Sequence, residues 1–178
     1  INHVVVHAPA PALLDRCRET WEEYGIRHFI LVGGGRSDQP YPGPSVAEAN
    51  RLVREHVDIP GLRVGNICIP SRRGEAARMA TKVAAGADFF TTQILYESAD
   101  FTAMLDALAD EAAVPREILL AFCPIRTLQN LRFLLWLGVS IPDDLEAWLT
   151  GDDEAVPQRS LDQIRRTWAG VIDHQREG

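Results

Sequence analysis

The stretch that decides the fold is Lys82-Val83-Ala84-Ala85-Gly86-Ala87-Asp88-Phe89-Phe90-Thr91-Thr92-Gln93-Ile94-Leu95-Tyr96-Glu97. It predicts a helix that closes on Gly86, because glycine takes the positive φ of a helix C′ position without a Cβ clash. A strand follows within two residues. Phe89 to Leu95 is apolar on both alternating faces, the pattern of a parallel strand covered on both sides. The strand ends on a polar pair, Thr92 and Gln93. A carboxamide there is costly to bury unless something hydrogen-bonds it. In α/β folds a ligand at the carboxyl edge of the sheet often does so.

Outward from this stretch the same passage recurs. Gly25-Ile26, Gly86-Ala87 and Gly138-Val139 each follow a helical segment and lead toward apolar residues. Strands are expected at Val4–His7, Phe29–Val32, Arg63–Ile69, Phe89–Leu95 and Glu117–Phe122. Helices are expected at Ala12–Tyr24, from Ser45 as N-cap to His56, up to Gly86, and over Asp100–Glu111, Leu128–Leu137 and Pro142–Leu149. A last one is expected over Glu154–His174, with Leu161, Ile164, Trp168 and Ile172 at helical spacing. Strands alternating with helices imply βα units and a parallel sheet. Five such strands suit either part of an eight-stranded (β/α) barrel, which takes about 250 residues, or a complete doubly wound sheet. Periodicity does not separate the two.

The chain has 178 residues, enough for one domain with one sizeable core. No apolar run approaches the ~20 residues of a membrane helix. The formal charge of −7 argues against a nucleic-acid footprint while leaving room for a local basic pocket. Cys17, Cys68 and Cys123 are too scattered for a disulfide scaffold or a zinc site, and a reducing cytoplasm is expected. Lys82 is the one lysine among 18 basic residues, a bias that codon usage explains.

Of the candidate sites, Thr92 with Gln93 is the strongest, a polar pair where an apolar strand meets the catalytic edge. Gly33-Gly34-Gly35 follows a strand, where phosphate-cradling loops occur, but it lacks the P-loop ending and the dinucleotide spacing. The loop from Arg36 to Pro44 is longer than most strand-to-helix connections. His3 and His7 share a face, yet no carboxylates accompany them as metal ligands. Arg72-Arg73 would meet an anion or, more simply, water. Cys68 and Cys123 read as packing residues.

Five segments in register resemble the methylenetetrahydrofolate reductase family over roughly residues 1 to 150. His3 with three apolar residues resembles its His-Leu-Thr-Cys, and Gly25-Ile26-Arg27-His28 its Gly-Ile-Arg-His. Lys82 to Phe89 with Thr92-Gln93 resembles its Lys-Val-Asp-Ala-Gly-Ala-Asp-Phe and Thr-Gln. Cys123-Pro124-Ile125 and Val139-Ser140-Ile141-Pro142 are similar to its Met-Pro-Ile and Val-Lys-Ile-Pro. The resemblance implies a single domain over 1–178, an incomplete (β/α)₈ barrel. Two strands would precede Ile1, one would follow the last helix, and the catalytic acid would lie before Ile1.

It also implies hydride transfer from NAD(P)H to 5,10-methylenetetrahydrofolate, giving the methyl form. Gln93, with Thr92, Tyr96 and Leu128, would bind the folate. His3, Gly33, Gly34, Gly35 and Lys82 would lie at the redox cofactor. The family's Arg-Gly-Asp becomes Gly33-Gly34-Gly35, and its Tyr-Pro-x-x-His becomes Ile69-Pro70-Ser71-Arg72-Arg73. Both departures remove flavin contacts, so a reductase using NAD(P)H without FAD is expected. The rivals are a Schiff-base lyase on Lys82, whose register places it far from a strand's carboxyl end, and a non-catalytic folate- or partner-binding relative.

Overall fold

A computed structural model of the chain describes residues 1–33 and 42–177. In chain order the elements are β1 (Asn2–Val5), α1 (Ala10–Tyr24), β2 (His28–Val32), α2 (Val46–His56) and β3 (Arg63–Cys68). Then come α3 (Glu75–Ala84), β4 (Phe89–Ile94), α4 (Ala99–Ala109) and β5 (Glu117–Ala121). The chain continues through α5 (Leu128–Trp136), α6 (Asp143–Thr150), a 3₁₀ turn (Asp153–Ala155) and α7 (Val156–Glu177). No helix among these is long and apolar enough to cross a membrane.

The strands form one sheet in the order β1-β2-β3-β4-β5. β1 pairs with β2 and β2 with β3, both in parallel, with His3 opposite Ile30 and Ile30 opposite Gly65. This order resolves the ambiguity left by periodicity. A doubly wound sheet reverses its order at a switch point, whereas barrel strands follow one another as neighbours. These five do the latter, as consecutive staves of a (β/α)₈ barrel.

The helix-to-strand passages explain why the order is kept. Gly86 has φ 104°, and its N–H and that of Ala87 return to the carbonyls of Val83 and Lys82, a Schellman ending. Gly138 and Val139 repeat the pattern on Leu135 and Leu134, with φ 79° at the glycine. Immediately after Gly86, Asp88 donates its N–H to Val64 O, and its carboxylate accepts from Val64 N at 2.8 Å. Arg54 closes the junction: it pairs with Asp88 and donates to Gly86 O at 2.9 Å and Leu62 O at 3.2 Å. A helix end and a strand start are thus fixed by one guanidinium from α2.

The chain divides into two compact units: Ile1–Cys68 with Ala76–Thr91 and Leu108–Leu119, and Ile69–Glu75 with Thr92–Ala107 and Leu120–Gly178. The first has its core in Val4, Val6, Leu13, Cys17, Phe29, Leu31 and Val53, with Leu14 and Trp21 packed against it, so α1 buries one apolar face. Burial pushes the Cys17 thiol up to about 11, which makes it a packing group. Asn50 and Asn66, both fully buried, exchange hydrogen bonds at 2.8 and 3.1 Å. Ser45 and Glu48 form a capping box at the start of α2.

The second unit is built on Tyr96, Ile125, Leu131, Leu134, Leu145, Leu149 and Val156. Here α7 departs from expectation. Leu161 and Trp168 are 39% and 49% exposed, and the buried side carries Val156, Ser160, Thr167 and Val171. Ile164 packs against the core as the apolar spacing implied, but the rest of the inward face is partly polar, and its hydroxyls serve backbone groups of the unit. Burial on both faces holds for β2, but not at the ends of the sheet: Val5 on β1 and Leu119 on β5 are 52% and 41% exposed.

Candidate active site at the carboxyl end of β4

Within the second unit, a small cleft opens at the end of β4. Gln93, Ile94, Leu95 and Tyr96 form one wall, Ile69, Pro70 and Ser71 a second, and Ser140 with Pro142 a third; Glu97 and Asp100 stand at its rim. Two of these walls immediately follow β3 and β4, the strand ends where ligands bind in parallel α/β proteins.

Strand alternation separates the predicted polar pair. Gln93 is half-buried on the cleft side, and its Oε1 accepts a long bond, 3.3 Å, from Ile94 N. Thr92 turns the other way, buried at 3%, and its hydroxyl accepts from Ala121 N at 2.9 Å. The two therefore do not present together: Thr92 holds β4 to β5, and Leu95 N–H extends that pairing to Ala121 O.

Tyr96 is buried, and its hydroxyl donates to Cys123 O. Burial, with Cys123 adding to it, pushes the phenol further up, so it remains a donor. The Tyr96 carbonyl accepts two bonds from α7, from Gln163 Nε2 and Thr167 Oγ1, each at 2.7 Å. Ser160 Oγ accepts from Ile125 N at 2.7 Å. Sequence reasoning missed these three residues. Their signal was present as polar groups at spacings of three and four, one stripe of a helix. Leu128 opens α5 and packs against the core of this unit.

Two further groups were missed. Glu75, the first residue of α3, is 2% exposed; its Oε1 accepts from Ile69 N at 3.1 Å and its Oε2 lies 3.7 Å from Arg72 Nη1. Arg72 is thereby held at the start of a helix. Glu97 has its carboxyl raised above the ordinary range by burial first, then by the negative charges of Asp144 and Asp100.

The residues expected at a redox cofactor are more scattered. His3 is exposed on β1, and Gly33 directly follows β2, where a Cβ would lie 3.1 Å from Val46 Cγ2. Gly34 and Gly35, with most of the long loop after them, lie outside the described residues. Lys82 sits in the last turn of α3, but its ammonium reaches the Ile67 carbonyl at 2.9 Å, with the Phe90 ring 5.7 Å away. The amine therefore comes nearer the end of β3 than helical register alone suggested.

The methylenetetrahydrofolate reductase family model matches residues 65–174, well over half of the chain. The chain belongs to the methylenetetrahydrofolate reductase family. Methylenetetrahydrofolate reductase 2 of Schizosaccharomyces pombe is 26% identical over 194 residues, covering 92% of this chain and 30% of that protein. An uncharacterized Clostridium thermocellum protein that binds two copies of 5-methyl-5,6,7,8-tetrahydrofolic acid superposes with a TM-score of 0.77. At 21% identity, over 98% of this chain and 61% of that one, it shares the fold, a partial (β/α)₈ barrel here. The chain thus spans less than two thirds of either relative.

Proposed function

We propose that this chain is the folate-binding part of a reductase that transfers hydride from NAD(P)H to methylenetetrahydrofolate, a proton going to the ring nitrogen released, yielding methyltetrahydrofolate and NAD(P)⁺. The observation that carries the reading is the Gln93 carboxamide, poised at a strand's carboxyl end in a cleft of a reductase-family chain. A pterin edge alternates donors and acceptors, and a carboxamide answers both. Folate binding by the clostridial structural relative supports the same ligand class.

NAD(P)H would supply the hydride; the protein binds, orients and excludes water. Donor and acceptor carbons must come to about 3–3.5 Å, so the pterin has to be held in one plane and register. Gln93 fixes its register, and the aliphatic side chains of Ile69 and Pro70 offer an apolar wall. The fit to FAD is poor on two counts. Ile69 lines the cleft where the family's flavin-contacting tyrosine is expected, and the Lys82 ammonium is engaged with Ile67 O. These departures support direct transfer without flavin.

The test is titration of the full-length protein with methyltetrahydrofolate. Gln93→Leu should leave the fold intact and weaken binding by about 1–3 kcal/mol, the cost of an unpaired polar contact. Equal affinity in the variant removes Gln93 from the site, and absence of binding by the parent protein removes the proposal. A second reading, folate binding without reduction, is favoured by the binding activity of the clostridial relative; tight binding with no NAD(P)H oxidation would select it.

A further inference from the structure

We propose that Glu75 is a positioning residue for the cleft: its buried carboxylate sets the Ile69–Ser71 wall against which the ligand lies. This inference rests on the folate reading of the cleft. Three observations carry it. Glu75 is 2% exposed, and burying a carboxylate is costly unless its oxygens are well used. One oxygen accepts from Ile69 N at 3.1 Å, tying the first wall residue to the first turn of α3. The other lies 3.7 Å from Arg72 Nη1, so the far end of the same loop is drawn to the same group.

The backbone completes the brace. Arg72 N–H donates to Ile69 O at 2.9 Å and Glu75 N–H to Arg72 O at 3.1 Å, two successive turns between strand end and helix start. A carboxylate in the first helical turn also lies at the positive end of the α3 dipole, a favourable placement. The loop between β3 and α3 is thus clamped across its ends by one side chain, while Ile69, Pro70 and Ser71 face the cleft. A helix N-terminus needs no such reach: an exposed Ser or Asp would cap it. Reaching back to Ile69 N gains instead a fixed wall.

The experiment compares Glu75→Ala, Glu75→Asp and Glu75→Gln in the full-length protein. It reads amide hydrogen exchange across residues 69–72 together with methyltetrahydrofolate affinity. Glu75→Ala and Glu75→Asp should speed exchange at Ile69 at least tenfold and weaken binding about tenfold. Glu75→Gln retains an acceptor for Ile69 N and should restore both to within about threefold of the parent. If Glu75→Ala does not fold, Glu75→Asp, which withdraws the oxygen by one methylene while keeping the charge, carries the comparison. Unchanged exchange at Ile69 in the Asp variant, or faster exchange with unaltered affinity, overturns the inference while leaving the folate reading in place. A parent protein that binds no folate overturns the folate reading and, with it, the ligand role of the wall, even where exchange at Ile69 still follows Glu75.

Discussion

Gln93 and Thr92 are adjacent in sequence and opposite in function. A strand's side chains alternate faces, so only one of the pair meets the cleft, while the other spends its hydroxyl on Ala121 N. Glu97 at the cleft rim makes a pH-dependent contribution whose sign follows from its raised pKa. The folded protein holds the Glu97 proton to higher pH than the unfolded chain does. Between the ordinary glutamate value and the raised one, the folded state therefore binds more protons, and stability falls as pH rises through that window. Glu97→Gln should flatten this part of the curve and raise the thermal midpoint at neutral pH relative to the parent. Thermal midpoints measured across the acidic range check it, and an unaltered slope would show that Glu97 does not govern that window.

At the scale of elements, the helix-to-strand passages carry the fold. Gly86 combines φ 104° with a Cβ position 2.9 Å from Arg54 Cγ. Gly86→Ala should cost about 1–2 kcal/mol from backbone handedness alone, with further loss as Arg54 is displaced from Asp88. Chemical denaturation reads this directly, and a variant as stable as the parent would mean the turn tolerates another geometry. These passages were legible in the sequence because glycine at a helix end has one physical meaning. So was Ser45 as the N-cap of α2, to which the structure adds Glu48 as the second half of a capping box. The polar part of the inward face of α7 was not legible from apolar spacing. Buried Ser160 and Thr167, with half-buried Gln163, serve backbone groups of Tyr96 and Ile125, partners that lie 35 to 71 residues away in sequence. Glu75 was missed for a similar reason, as a charged residue at a helix start usually faces water.

At the scale of the molecule, strand order distinguishes a barrel segment from a doubly wound sheet, and composition carries no information on that order. The family resemblance, carried by short segments kept in register, supplied what periodicity lacked. The proposed function then rests on the Gln93 carboxamide lining the cleft at the end of β4. The most direct test is turnover by the full-length protein, purified and confirmed by its absorbance spectrum to be free of flavin. Mixed anaerobically with NADH or NADPH and methylenetetrahydrofolate, it should oxidise the nicotinamide and form methyltetrahydrofolate in equal amounts. Oxidation that begins only when FAD is supplied, or a protein isolated with FAD bound in a one-to-one ratio, would contradict direct transfer.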